Sequence, residues 1–169
     1  MTVTVRKLIL KDCAVIAGSF ARQGWDKPVE QYKGYFSDME NDLRHVLVAE
    51  ENDGFAGYLT VLWASDYESF RRRSLPEITD LNVLIKFRRR GIATRLLEEA
   101  EFMIGQRSSA AGIRVGLTGD YGVAQRLYVR RGYIPDGLGL SYRNRPLLFG
   151  EEVTVDDDLT LGFIKQVRG

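Results

Sequence analysis

The sequence predicts an α/β fold, with a mixed sheet of six to seven strands flanked by helices on both faces. Three observations lead to this prediction. Strand-like and helix-like segments follow one another in the order β-α-α-β-β-β-α-β-α-β-β. An Asp-Gly pair at 53–54 lies between two apolar runs, which is typical of a hairpin and makes the sheet mixed rather than all parallel. Apolar residues at helical spacing over 92–104 form a stripe that requires a sheet to pack against.

The first half of the chain predicts three strands and two helices. They are a strand at 3–9, a helix at 13–22, a helix that starts near Pro28 and passes through Phe36, and strands at 45–50 and 55–63. Asp12 is a suitable N-cap for the first helix, and Pro28 suits the first turn of the second. Asn52-Asp53-Gly54 joins the two later strands, because this turn needs residues that tolerate positive φ.

The second half predicts four more strands and two more helices after a polar loop. They are a strand at 77–85, a helix from Gly91 to about Gln106, a strand at 113–118, a helix at 121–131, and strands at 133–142 and 159–167. Gly132 suits the left-handed residue that ends a helix. The sequence has neither internal repeats nor a low-complexity linker, so we predict a single domain over residues 1–169.

Composition is that of an ordinary soluble globular protein, with 44% hydrophobic and 28% charged residues. The one cysteine, Cys13, excludes an intrachain disulfide and suits a reducing cytoplasm. The net charge of +1 argues against a general nucleic-acid binder, and no apolar run approaches the ~18 residues of a membrane span. His45 is the only histidine, which excludes a multi-histidine metal site. We therefore expect a cytoplasmic protein without a metal, a nucleic-acid partner or a membrane partner.

Residues Arg88 to Thr94, called the 88–94 turn below, carry the clearest functional signal. They lie between the predicted strand at 77–85 and an amphipathic helix. A turn that enters a helix aims several free backbone N–H groups at one point, with the positive end of the helix dipole behind them. Gly91 and Ala93 are small, so phosphate oxygens can approach the backbone. The pattern predicts an anion-binding site in which the N–H groups from Arg89 to Thr94 do most of the holding.

The motif differs from the two commonest phosphate loops, since neither G-x-x-x-x-G-K-[ST] nor a G-x-G-x-x-G after the first strand is present. It reads Arg88-x-x-Gly91-x-Ala93, with Leu81-x-Val83 before it. Downstream, Ala124 is followed by Leu127-Tyr128 and then by Gly132-Tyr133. Together these segments resemble the two signatures of the GNAT N-acetyltransferase superfamily, over about a third of the chain.

The resemblance implies a GNAT-like N-acetyltransferase that uses acetyl-CoA and acetylates a primary amine by direct attack, without an acyl-enzyme. The cofactor-binding residues that it implies are Leu81, Asn82, Val83, Arg88, Arg89, Arg90, Gly91, Ile92, Ala93 and Thr94. Arg88 and Arg89 would neutralise the pyrophosphate, and Arg90 would reach the ribose phosphate. The alternative is that the three arginines form a solvated turn.

Acetyl transfer makes three chemical demands on the site. A lysine-like amine has a pKa near 10.4, so about one in a few thousand is neutral at pH 7 and the amine must lose a proton. The negative oxygen of the tetrahedral intermediate needs donors, which the resemblance assigns to N–H groups around Leu81 to Val83. The departing thiolate gains from an acid, and Tyr128 matches the tyrosine of the family. The alternative for Tyr128 is a core aromatic.

Two carboxylates are candidates for the catalytic base. Glu77 lies eleven residues before Arg88, where histone-acetylating members of the resembled family carry theirs. Asp80 is the second candidate and points to the opposite side of a regular strand. An ordered water is the third candidate, and either carboxylate could instead pair with an arginine.

The acceptor is expected to be a small-molecule amine or a protein amine. Aromatic residues would line its groove, and Asp66, Glu77 and Asp80 would favour a cationic amine. A homodimer is a possible assembly. Two other interpretations stay open, namely a catalytically weak acyl-CoA-binding sensor and, with less support, a nucleic-acid-binding domain that uses the arginine clusters.

Overall fold

The computed structural model describes residues 2–168 and has, within that range, eight strands and five α-helices. The strands are β1 (Val3–Lys7), β2 (Arg44–Glu51), β3 (Gly54–Leu62), β4 (Glu77–Val83), β5 (Ala110–Gly116), β6 (Ile134–Tyr142), β7 (Arg145–Pro146) and β8 (Leu159–Gln166). The helices are α1 (Asp12–Arg22), α2 (Val29–Glu40), α3 (Glu68–Arg72), α4 (Ile92–Gly105) and α5 (Gly122–Arg130).

The strands pair in the order β1-β2-β3-β4-β5-β8-β6-β7. β4 and β5 are parallel, whereas β1 with β2, β2 with β3, β5 with β8, and β6 with both β7 and β8 are antiparallel. The predicted α/β class with a mixed sheet is therefore confirmed. The predicted count of six to seven strands was too low by at least one, because two-residue β7 is too short to leave an alternating pattern.

The chain divides into two compact units. The first runs to Trp63 and resumes over Thr79–Glu101, and the second comprises Ala64–Ile78 and the residues from Phe102 onward. In the first unit α1 packs on α2 and β3, and α2 packs on β2. The buried residues of its core cluster are Leu8, Cys13, Ile16, Phe20, Tyr32, Met39, Val46, Val48, Tyr58 and Leu84.

The turn between β2 and β3 is the predicted hairpin. Asn52 and Asp53 have φ of +50° and +63°, the left-handed values that a tight turn between twisted strands requires. On β3, a Cβ at Gly57 would lie 2.7 Å from the carbonyl oxygen of Asn82. Gly57 therefore lets β4 lie close against β3, and β4 carries several of the predicted site residues.

In the second unit, the buried residues around α3 form a separate core cluster. They are Tyr67, Phe70, Leu75, Ala110 and Ile164. A Cβ at Gly112 would lie 2.6 Å from the Phe70 ring, so the glycine makes room for that ring. Helix α3 was not predicted, since five residues are too few for a helical period to be recognised.

Several predicted boundaries need correction. The strand predicted at 3–9 ends at Lys7, and the strand predicted from Ile113 begins at Ala110. The strand predicted at 77–85 ends at Val83, and Ile85–Phe87 forms a 3-10 turn instead. Asp12 is not the N-cap of α1 but its first helical residue, and Lys11 occupies the cap position. The reason is that the Asp12 carboxylate pairs with Arg6 at 2.7 Å and accepts the N–H of Ile9 at 2.9 Å. Within the described part of the chain, no helix is long and apolar enough to cross a membrane.

Candidate functional site

The 88–94 turn joins the 3-10 turn Ile85–Phe87 to helix α4 in the first unit. Arg89 and Gly91 both have left-handed backbone, with φ of +61° and +79°. The first helical hydrogen bond of α4 runs from the N–H of Arg95 to the carbonyl of Gly91, at 2.9 Å. The N–H groups of residues 92–94 precede that bond and belong to the first turn of the helix, where no helical carbonyl is in reach. They point out of the positive end of the helix, as an anion site requires.

Gly91 is required by its backbone conformation rather than by packing. Its own chain neighbours apart, a Cβ at this position would meet no heavy atom of the described residues within 4 Å. The φ of +79° is nevertheless one that L side chains rarely adopt. The space beside Gly91 is therefore open beyond its chain neighbours.

The three arginines of the turn are exposed but differ in their contacts. Arg88 Nε donates to the carbonyl of Val83 at 3.4 Å, and its guanidinium lies 5.5 Å from the centre of the Trp25 ring. Arg90 Nη1 donates to Oε2 of the buried Glu51 at 2.7 Å. The Arg90 side chain, which was predicted to reach the ribose phosphate, is therefore ion-paired with a carboxylate of the protein.

Strand β4 is irregular at Asp80. It pairs with β5 through Glu77 with Gly112 and Ile78 with Ile113, and Asp80 then takes a left-handed φ of +50°. A left-handed residue inside a strand turns the following peptides out of the regular ladder. The N–H groups of residues 81–83, which were predicted to face the thioester, follow directly after this irregularity.

The carboxylate of Asp80 is the centre of a polar cluster in the first unit. Oδ2 accepts hydrogen bonds from the hydroxyl of Tyr58 at 2.6 Å, the hydroxyl of Tyr35 at 3.0 Å and Nε2 of Gln31 at 3.2 Å. Oδ1 accepts from Nδ2 of Asn82 at 2.7 Å and lies 3.6 Å from Nζ of Lys27. The Asp80 side chain keeps 20% of its surface exposed.

The tyrosines around Asp80 are neutral hydrogen-bond donors. Burial, together with the negative charge of Asp80, raises the pKa of Tyr58 and of Tyr35 far above the usual value for a phenol. Burial also raises the pKa of Tyr32 to about 12. The Tyr32 hydroxyl donates a hydrogen bond to the Tyr58 hydroxyl at 3.4 Å. The three phenols therefore form one connected network with the carboxylate.

Glu77, the first candidate base, lies in the second unit and is 2% exposed. Its Oε1 accepts a hydrogen bond from Arg114 Nε at 2.7 Å, and its Oε2 accepts one from the hydroxyl of Ser65. The guanidinium of Arg114 also donates to Asn144 at 2.8 Å. Glu77 is thus the arginine-paired carboxylate that the sequence left open as the alternative. This geometry favours a structural role for Glu77 over the predicted role as base.

Tyr128, the predicted acid, also lies in the second unit, on α5. Its side chain is buried, and burial raises the pKa of its hydroxyl above the usual value. Gly132, with φ of +89°, ends the helix as predicted, and the N–H of Tyr133 donates to the Tyr128 carbonyl at 3.0 Å. Because its pKa is raised, the Tyr128 hydroxyl carries a proton at neutral pH, as a general acid must.

Sequence reasoning gave no role to several residues of these clusters, among them Glu51, Tyr58 and Arg114. Tyr58 and Arg114 are polar residues inside apolar strand runs, which is the signal that could have found them. Glu51 ends β2 directly after Glu50 and leaves no such signal. Among residues 2–168, no group of three or more His, Cys, Asp or Glu side chains is arranged to hold a metal ion.

Comparison with known proteins identifies the family of the chain. A family model described as Acetyltransferase (GNAT) domain matches residues 42–135, which include β4, the 88–94 turn and Tyr128. Comparison with curated proteins gave no match. The fold and the matched segments define the chain as an acetyltransferase. Because the match spans more than half of the 169 residues, the chain belongs to the GNAT family.

Solved structures share the fold at low sequence identity. A Salmonella typhimurium protein, described as an acetyltransferase with its cofactor acetyl-CoA, matches with a TM-score of 0.71 at 16% identity, over 99% of this chain and 95% of that chain. The ribosomal-protein-S18-alanine N-acetyltransferase of Escherichia coli matches with a TM-score of 0.69 at 12% identity, over 99% and 96%. A chimera of the Vibrio cholerae spermidine N-acetyltransferase gives the same TM-score at 12% identity, over 99% and 96%.

Proposed function

We propose that this chain moves the acetyl group of acetyl-CoA to a primary amine by direct attack, without an acyl-enzyme, and that residues 1–169 act as one N-acetyltransferase domain. The observation that carries the proposal is the 88–94 turn. Gly91, which like Arg89 has left-handed backbone, has open space beside it and directly precedes the first-turn N–H groups of α4. A diphosphate fits this arrangement, because its oxygens need several donors converging from one side. The exposed Arg88 and Arg89 side chains add positive charge there.

The reaction follows from the chemistry of a thioester and an amine. The neutral amine nitrogen attacks the carbonyl carbon and, as the amide forms, loses one proton to solvent or a nearby base. The carbon–sulfur bond breaks, and the sulfur leaves as a thiolate that takes up a proton. We assign stabilisation of the intermediate oxygen to the N–H groups of residues 81–83, which follow the left-handed Asp80. No side chain of the protein has to become acylated in this sequence of steps.

We assign the binding and deprotonation of the amine to the carboxylate of Asp80 rather than to that of Glu77. Asp80 is partly exposed and already lies 3.6 Å from the ammonium of Lys27, which supports its use as an ammonium site. It would attract the protonated amine and take its proton, directly or through a water. We expect Asp80→Asn to lower kcat/KM for amines by roughly tenfold or more. Wild-type kinetics in this variant would remove Asp80 from the mechanism.

Tyr128 is assigned as the acid that protonates the leaving thiolate. A thiol has a pKa near 8.5 and leaves fairly well without help, so we expect Tyr128→Phe to lower kcat by only about tenfold. Affinity for acetyl-CoA should stay within about twofold of the wild type, since the change removes one hydroxyl that acts on the transition state. An unchanged kcat, measured by release of free coenzyme A, would leave Tyr128 as a core aromatic only.

The acceptor class is tested by turnover on a panel of amines. The two structural relatives named for their acceptors act on a ribosomal-protein alanine and on spermidine, so the panel contains peptides with an N-terminal alanine and polyamines. We expect release of free coenzyme A that depends on one class of added amine. A thermal shift with acetyl-CoA but no amine-dependent turnover would favour the acyl-CoA-binding sensor instead. If acetyl-CoA gives neither a shift nor turnover, the proposed function is wrong.

A further inference from the structure

Glu51, the last residue of β2, carries a buried carboxylate whose side chain is 1% exposed. Its Oε2 accepts the hydrogen bond from Arg90 Nη1 at 2.7 Å. Its Oε1 is also buried, and no residue in the described range donates a hydrogen bond to it. Since a buried carboxylate is unfavourable without a paired cation, Glu51 depends on Arg90.

Glu51 is itself fixed in place by the sheet. It pairs with Val3 of β1 and with Gly54 of β3, directly before the hairpin turn. The guanidinium of Arg90 lies 5.5 Å from the centre of the Phe87 ring, and Phe87 packs against the core cluster of the first unit. Arg90 is thus held from two sides, by the end of a strand and by a ring of the preceding 3-10 turn.

Arg90 lies between the two left-handed residues of the turn, Arg89 and Gly91. Left-handed backbone is unfavourable at a residue other than glycine, so contacts outside Arg89 must hold it there. Each residue has only two soft backbone dihedrals, and α4 fixes the chain on the far side. Holding the Arg90 side chain against Glu51 therefore restrains both neighbouring peptides.

We propose that Glu51 is a positioning residue for the 88–94 turn. It holds Arg90, and through Arg90 it keeps the left-handed backbone that presents the first-turn N–H groups to the diphosphate of coenzyme A. The proposal rests on the proposed function for its ligand. It also reassigns Arg90, because the guanidinium restrains the turn instead of binding the ribose phosphate.

The first test needs no ligand. Glu51→Leu removes the buried charge and leaves Arg90 free to turn to solvent, and Glu51→Leu/Arg90→Met removes the whole pair. The amides of Arg88 and Arg95 bracket the turn and are hydrogen-bonded to Ile85 and Gly91, so their exchange with solvent reports its order. We expect exchange at both amides to rise roughly tenfold in the two variants, because local opening becomes easier. Exchange at Tyr133 in the second unit should stay as in the wild type.

The control is Glu50→Leu, one position earlier on the same strand. Glu50 is also ion-paired, with Arg6 at 2.5 Å, but has no contact with Arg90 among the interactions of the described residues. We expect wild-type exchange at Arg88 and Arg95 in this control. Wild-type exchange in Glu51→Leu as well would overturn the positioning role.

The second test compares coenzyme A with dephospho-coenzyme A, which lacks the ribose phosphate. Each of Glu51→Leu, Arg90→Met and the double variant should weaken both ligands by roughly tenfold and by the same factor, since residues that act as one unit are not additive. The ratio of the affinity for coenzyme A to the affinity for dephospho-coenzyme A should stay as in the wild type. If Arg90→Met lowers that ratio while Glu51→Leu binds normally, Arg90 binds the phosphate and the proposal is wrong.

The two tests also separate this proposal from the proposed function. If the wild type binds neither ligand, the proposed function fails, and amide exchange at Arg88 and Arg95 still decides whether Glu51 orders the turn. If the wild type binds but Glu51→Leu binds equally well, the proposed function stands and the positioning role is rejected.

Discussion

Gly91→Trp is expected to abolish measurable binding of acetyl-CoA while the protein stays folded. The side chain would project into the open space beside the turn, where we place the diphosphate. We expect the dissociation constant to rise by more than about 100-fold, which corresponds to about 2.7 kcal/mol. At a ligand concentration 100 times the wild-type dissociation constant, the wild type should gain roughly 2.7 kcal/mol in free energy of unfolding and the variant less than about 0.4 kcal/mol.

The matched control is Gly150→Trp. Gly150 has φ of +86° and, like Gly91, no heavy atom of the described residues within 4 Å of a Cβ. Both substitutions therefore carry the same backbone strain of roughly 1–2 kcal/mol, but only one blocks the turn. The two variants should lose a similar amount of stability without ligand, and Gly150→Trp should still respond to acetyl-CoA. Normal affinity in Gly91→Trp would exclude the 88–94 turn as the diphosphate site.

Arg114→Met is expected to cause the largest loss of stability. It removes the cation from Glu77, whose side chain is 2% exposed, and leaves a buried carboxylate without its charge partner. Breaking a buried ion pair from one side typically lowers the free energy of unfolding by about 3–5 kcal/mol. For a chain of this length that corresponds to a fall in the melting temperature of about 10 °C.

Two comparisons make the result specific to the buried charge. Arg72→Met breaks the ion pair with Glu68, in which the arginine side chain is 77% exposed, so we expect a change below about 0.5 kcal/mol. Glu77→Gln/Arg114→Met removes both charges, so it should recover a large part of the lost stability. If Arg114→Met unfolds at the wild-type midpoint in a thermal or denaturant titration, the Glu77–Arg114 pair does not hold the second unit together.

The local elements could be predicted because each one is determined by a short stretch of the sequence. The apolar stripe of α4, the turn at Asn52 and Asp53, and Gly132 at the end of α5 all depend on neighbours within a few residues. The 88–94 turn belongs to the same group, since its glycine and the helix behind it are adjacent in sequence. Both left-handed residues of the turn, Arg89 and Gly91, lie inside the motif, although the sequence analysis singled out Gly91 for its small size and not for its backbone conformation.

The roles of the carboxylates were not predictable in the same way. Glu77 and Asp80 look alike in the sequence, three residues apart on one predicted strand. The structure pairs Glu77 with Arg114, 37 residues away, and places Asp80 among hydroxyls that come from 22 and 45 residues away. The left-handed backbone at Asp80 also interrupts the regular alternation of side chains along the strand. The predicted opposite orientation of Glu77 and Asp80 depended on that alternation.

The sequence by itself determined the order of all helices and strands except the short α3 and β7, the mixed sheet and the position of the 88–94 turn. Periodicity and turn chemistry act over a few residues and survive without knowledge of packing. Only the tertiary structure decided which ionised side chains are exposed to a ligand and which are held in ion pairs within the protein. Arg90 meets Glu51 across 39 residues, and burial then fixes that pair, because a charge removed from water needs its partner nearby.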